Sequence, residues 1–289
     1  MEGTLSGLSL PPWVNDDNSI LTGPGHVKNL ANYGLTLMTD KDEVWLVGGR
    51  DTTQSAGWQT FMLVYRANTN DWVSKTETPF RVVNPMVTHD ENNVYSLGGG
   101  YYSSNLFFNF NMCYNISTST WNTKKTLPVS MYCGFICKSG EVIYIHDAEQ
   151  KSNINMYADD IAFNINTNTY TTLPYRGKSN IANPTSKSVC HNNKTIHLIY
   201  EKEHACYSIS TKTWTNKTAC PESVDNVIGL RGNLIYTMTN VSKTVYEYNI
   251  LDDTWRNLGV HPIYGSCISS KNWLYNFGDN KTEMCKCKI

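Results

Sequence analysis

Apolar residues along this chain come in short bursts that alternate with polar residues or run together for a few positions. They never recur at the steps of a sustained helix face. Such bursts, bounded by Asn, Asp, Ser, Thr and Gly, are the pattern of β-strands joined by tight turns. One burst repeats. Val44-Trp45-Leu46-Val47-Gly48-Gly49 returns as Val94-Tyr95-Ser96-Leu97-Gly98-Gly99, and weaker copies centre on Tyr144, His197, Tyr236 and Tyr275. Counted from Trp45, the steps between copies are 50, 49, 53, 39 and 39 residues. A recurrence of that size predicts a solenoid or a propeller.

A second mark keeps the same period. An aromatic residue stands seven positions before another in five successive units: Tyr65/Trp72, Tyr114/Trp121, Phe163/Tyr170, Tyr207/Trp214 and Tyr248/Trp255. The residues between are short and polar, which predicts strand, tight turn, strand, with the two aromatics meeting across the hairpin and setting its register. Each unit then reads as four strands. A first strand is expected at 35–38, 86–89, 134–138, 188–191, 227–230 and 266–269. A polar hairpin leads to the repeated burst as second strand. The third strand carries the first aromatic of the pair, and the fourth carries the second. Most of these aromatics and glycines read as core and turn, without chemistry.

The Gly-Gly pairs at Gly48-Gly49 and Gly98-Gly99, with the downstream Tyr and Trp, resemble the kelch repeat. The resemblance covers nearly the whole chain and is looser in the last four units, where His146-Asp147, Tyr200-Glu201, Thr239-Asn240 and Gly278-Asp279 stand in place of the pair. It implies an all-β fold, a six-bladed kelch-type β-propeller of four-stranded blades in a single domain over 1–289. Blades are expected to start near 31, 82, 131, 184, 225 and 263. Residues 1–30 are expected to hold a closing strand and a loop, with Trp13 completing the last blade and removing its open edge.

Composition narrows the function classes. Twenty-four Lys+Arg oppose 25 Asp+Glu, with no basic stripe of the kind nucleic-acid binders carry. No apolar run is long enough to span a bilayer, and the first residues lack the build of a signal peptide. The nine cysteines are odd in number and irregular in spacing, so they read as buried reduced thiols and not as a disulfide framework or a zinc site. Sequons at Asn115, Asn193, Asn216, Asn240 and Asn280 are no more than chance gives in so Asn-, Ser- and Thr-rich a chain. A cytoplasmic monomer is the expectation, with a secreted form, its signal removed, as the alternative.

The units are unequal. From second-strand to third-strand aromatic the distance is 20, 19 and 19 residues in the first three units and 10, 12 and 12 in the last three, where Cys287 holds the final third-strand place. Strand alternation sends these loops and the fourth-to-first connections to one face, so the extra length gathers on half of that face, where binding residues usually lie. The partner-binding candidates there are Arg50, Trp58, Arg81, Tyr101, Tyr102, Phe107, Tyr132, Asp147, Tyr157, Tyr175 and Arg176; all but Asp147 are aromatic or Arg, types enriched in interface hot spots. No catalytic residue, metal ligand or cofactor is expected: the seven histidines are scattered, and no nucleophile elbow or P-loop occurs. Some kelch-like proteins are copper- or iron-dependent enzymes, but no such ligand set maps onto these residues. The expected function is recognition of a protein or peptide partner through the long loops, as an adaptor or competitor in ubiquitin-ligase or cytoskeletal pathways. The rival is an enzyme or carbohydrate binder using the same face.

Overall fold

The computed structural model describes residues 30–31, 34–38, 41–51, 60–66, 68–69, 71–101, 106–132, 134–150, 159–176, 188–239, 241–260, 265–269, 273–278 and 284–288. The first blade is built by Gly34–Met38, Glu43–Val47, Met62–Arg66 and Asp71–Ser74, each pairing antiparallel with the next. The second takes Met86–His89, Asn93–Leu97, Asn111–Asn115 and Thr120–Thr123. The third takes Phe135–Ser139, Val142–His146, Ile161–Asn164 and Thr169–Thr172. The fourth takes Ser188–His191, Thr195–Tyr200, Glu203–Ser208 and Thr213–Asn216. The fifth takes Val224–Arg231, Leu234–Thr239, Thr244–Asn249 and Thr254–Val260.

The expectation of six blades is corrected: the β-propeller has five four-stranded blades. The last repeat makes a three-stranded sheet of Gly265–Ser269, Trp273–Gly278 and Met284–Lys288. Its residues explain the difference. Cys287 stands at the third-strand place where each of the five blades holds an aromatic residue. The closing strand expected around Trp13 lies outside the described residues. First strands stand side by side around the axis, and Gly265–Ser269 lies against both Val224–Arg231 and Gly34–Met38.

The predicted register holds in all five blades. Tyr65 faces Trp72, Tyr114 faces Trp121, Phe163 faces Tyr170, Tyr207 faces Trp214 and Tyr248 faces Trp255. Ring centroids are 4.8–5.4 Å apart and the planes are tilted, an arrangement the ring quadrupoles favour. The third-strand rings are fully buried. The fourth-strand rings are only partly buried, and in the second to fifth blades their polar tips reach back to the preceding blade. Trp121 Nε1 donates to the Thr76 carbonyl, the Tyr170 hydroxyl to Lys125, Trp214 Nε1 to Pro174 and Trp255 Nε1 to Thr218. The same side chain therefore fixes a hairpin and also staples two blades.

The apolar layers lie between blades. Trp45, Val47, Met62 and Val64 of the first blade pack with Val87, Val94 and Tyr114 of the second, and similar layers follow around the ring. Second strands are covered on both faces, which is why Val44–Val47 is an unbroken apolar run and does not alternate. The Gly-Gly pairs serve the same closeness. Gly48 and Gly98 have φ of 63° and 56°, and a Cβ on Gly98 would lie 2.3 Å from the Met131 carbonyl oxygen of the next connection. Gly49 and Gly99 donate to the carbonyls of Val82 and Met131. The structure shifts the expected alignment by one residue: strand two of the third blade ends at His146, so Asp147-Ala148 occupies the Gly-Gly place, and Asp147 keeps the left-handed φ at 49°. Glu201 does so in the fourth blade at 51°.

Candidate binding face

Antiparallel strand order sends the second-to-third loops and the fourth-to-first connections to one face, and backbone pairing there is direct. Leu30–Ala31, just before the first strand, pairs with Arg50–Asp51, just after the second. Met131–Tyr132 pairs in the same way with Glu149–Gln150 in the third blade. In the second blade the extra ribbon forms within the loop, between Gly100–Tyr101 and Leu106–Phe107. Among the described residues these three two-stranded ribbons belong to the first three repeats, where the sequence carries its extra length.

The candidate residues divide by position. Arg50 and Tyr101 are placed by their backbone in the ribbons. Trp58, Tyr102 and Tyr157 lie outside the described residues. Phe107 and Tyr132 meet each other, with centroids 4.6 Å apart, and both are buried; they brace the ribbons and are not presented to solvent. Arg81 is exposed, and Tyr175 is half exposed.

Asp147 and Arg176, distant in sequence, are brought together below the surface. Arg176 Nη2 lies 3.1 Å from Asp147 Oδ2. The contact is ionic and is not aligned as a hydrogen bond, and neither Asp147 oxygen accepts one from a described residue. Asp160 sits beside them, accepting from the Asp147 amide at 2.9 Å and facing His146 Nδ1 at 3.0 Å. Burial pushes the Asp147 carboxyl up to about 6; Arg176 opposes this, and Asp160 adds to it. His146 in turn packs against Tyr207 and Trp214 of the fourth blade. This cluster ties the third blade to its neighbour from within.

The candidate Tyr175 has two exposed apolar counterparts, Phe80 and Val129, outside the candidate set. Phe80, Val129 and Tyr175 each follow a proline at the end of a fourth strand, and they are 53%, 39% and 49% exposed. The signal was present in Pro79, Pro128 and Pro174, which recur with the repeat.

Two further groups lie elsewhere. On the opposite face, the tight turns frame a polar cleft of about 680 Å³ lined by Asp90, Asn93, Lys138, Glu141, Asn166 and Asn193, among others. In the fourth blade His197 Nδ1 and His204 Nε2 are 3.0 Å apart, both buried, with Cys206 Sγ 3.8 Å from His197 Nε2. Desolvation lowers His197 to about 4 and His204 to about 3, so the pair is neutral at pH 7 and one ring donates to the other. Cys113, Cys137, Cys206 and Cys220 are buried, Cys190 is partly buried, and all five are free thiols. No group of three or more His, Cys, Asp or Glu among the described residues could hold a metal ion. No described helix is long and apolar enough to cross a membrane. No family model matches the chain, and no curated protein matches it.

Proposed function

We propose that this propeller is a binding module for a protein or peptide partner and that it engages the partner through the long connections of its first three blades. The observation that carries the reading is the coincidence, on one half of one face, of three extra ribbons with exposed Arg and aromatic side chains. A propeller carrying long loops on one face is a common binding architecture, and those side-chain types dominate interface energetics. The kelch resemblance extends the reading to a monomeric cytoplasmic adaptor or competitor in a ubiquitin-ligase or cytoskeletal pathway. The test is affinity capture from the native source, comparing wild type with two variants. One has residues 101–106 replaced by a short turn, and the other carries Lys138→Ala with Asn166→Ala in the turn-face cleft. Partners lost only with the loop variant support the reading; partners lost only with the cleft variant sink it.

A second reading rests on the cleft itself. Its Asn, Asp, Glu and Lys side chains suit a small polyhydroxylated ligand, which favours a carbohydrate binder with its site on this face and not on the long-loop face where the sequence had placed it. A glycan array in which binding disappears on Lys138→Ala would favour it.

A further inference from the structure

Phe80 lies on the outer shoulder of the long-loop face, where the chain leaves the first blade for the second. Its ring stacks on Phe110 at 6.0 Å, and Phe110 stacks on Phe108 at 5.2 Å. Phe80 is half exposed and the other two are partly so. Three rings in line form a shelf across the junction of two blades.

The shelf stands on a pinned backbone. The carbonyls of Phe108, Asn109 and Phe110 accept from the amides of Met131, Leu127 and Gly98. The Phe80 carbonyl accepts from the Thr78 hydroxyl at 2.7 Å. Little ordering remains to be done when a ligand arrives, which is the condition under which aromatic surface converts efficiently into affinity. Beside the shelf stands Arg81, exposed and with no ion pair to any described residue. The nearby acid Glu77 already accepts from the Thr60 hydroxyl.

The same shoulder position is apolar in two further repeats, at Val129 and Tyr175. It ends at Glu222, whose carboxylate is held by Ser242 and Tyr246. The row therefore spans the same blades that carry the long loops, and it has an apolar, basic start and an acidic end.

Resting on the proposed function, we infer that the Phe80–Phe110–Phe108 shelf and Arg81 anchor a polypeptide segment that presents a large apolar side chain next to a carboxylate. The apolar group covers the rings, and the guanidinium forks onto the carboxylate. Val129 and Tyr175 continue the track along the rim.

The experiment is selection of a random twelve-residue phage-displayed library on the full chain, followed by binding of a selected synthetic peptide to variants. Enriched peptides should pair a Leu, Phe, Tyr or Trp with a neighbouring Asp or Glu. Affinity should fall at least about tenfold with Phe80→Ala and again with Arg81→Glu. Leu251→Ser, at an exposed turn on the opposite face, should leave it unchanged. Circular dichroism and melting of each variant establish that the fold is retained. Peptides that lose binding when residues 101–106 are replaced, but not with Phe80→Ala or Arg81→Glu, overturn this anchor while leaving the proposed function standing. A library that yields no binder counts against both. Phe80-dependent binding to phosphatidylserine vesicles without any peptide binder overturns the anchor in favour of a lipid surface.

Discussion

Arg176 Nη2 stands 3.1 Å from Asp147 Oδ2, and neither side chain is more than 6% exposed. The pair joins the start of the third blade's long loop to the connection that leaves the same blade. Removing one buried partner leaves a charge with nothing to answer it. Arg176→Met is expected to destabilise the fold by about 3–5 kcal/mol. Arg176→Met combined with Asp147→Asn should recover a large part of that loss. Urea denaturation of the single and double variants measures both.

The Asp147 carboxyl is pushed up to about 6 from an ordinary 3.8. Between those values the folded protein holds a proton that the unfolded chain has released. This group's contribution is therefore fullest below pH 3.8 and is lost as pH rises through 6. Asp147→Asn should gain stability relative to wild type as pH rises from 4 to 7, read by denaturant midpoints at each pH.

His197 and His204 act in the opposite sense. Their folded values of about 4 and about 3 lie below the ordinary 6.5. Their stabilising contribution is present above pH 6.5 and is lost as pH falls toward those values, because the unfolded chain takes up protons that the buried pair refuses. Acid unfolding should begin below pH 6.5. His204→Gln should make the stability profile shallower between pH 6.5 and 4.

Gly98 and Gly140 both have positive φ, 56° and 53°, but their surroundings differ. A Cβ at Gly140 meets nothing within 4 Å, whereas at Gly98 it would lie 2.3 Å from the Met131 carbonyl oxygen. Gly140→Ala should cost about 1–2 kcal/mol, the conformational term alone. Gly98→Ala should cost clearly more, because two blade connections must separate. Thermal melts of the two variants give the comparison.

Trp214→Phe keeps a ring against Tyr207 but deletes the donor to the Pro174 carbonyl at 2.9 Å. A loss of about 1 kcal/mol is expected for that hydrogen bond. Tyr207→Ala removes a fully buried ring and should cost about 3–5 kcal/mol. Denaturant unfolding separates the staple from the core.

Much of the fold was legible because the repeat writes local structure again and again. The aromatic pairs at seven-residue spacing specified five hairpins in register, since a short polar turn permits only one way for those rings to meet. The predicted first strand at 86–89 coincides with Met86–His89, and that at 266–269 with all but the first residue of Gly265–Ser269. The last repeat forms three strands among the described residues, and the strand expected to complete it lies outside them; Cys287 in place of a third-strand aromatic was the local warning. At the candidate site the sequence named stretches but not the orientation of their side chains. Phe107 and Tyr132 have hot-spot chemistry yet are spent on each other, while Phe80 stands out in solvent one residue before the Arg81 that was singled out.

Strand order, hairpin register and the face bearing the long loops were determined by the sequence itself, because periodic apolar positions and turn residues act over a few neighbours. The number of complete blades, the burial of Asp147 with Arg176 and the exposure of Phe80, Val129 and Tyr175 were decided only by tertiary structure. These depend on how one sheet meets the next, and residues some thirty to fifty positions apart in the chain become neighbours only after the blades have packed.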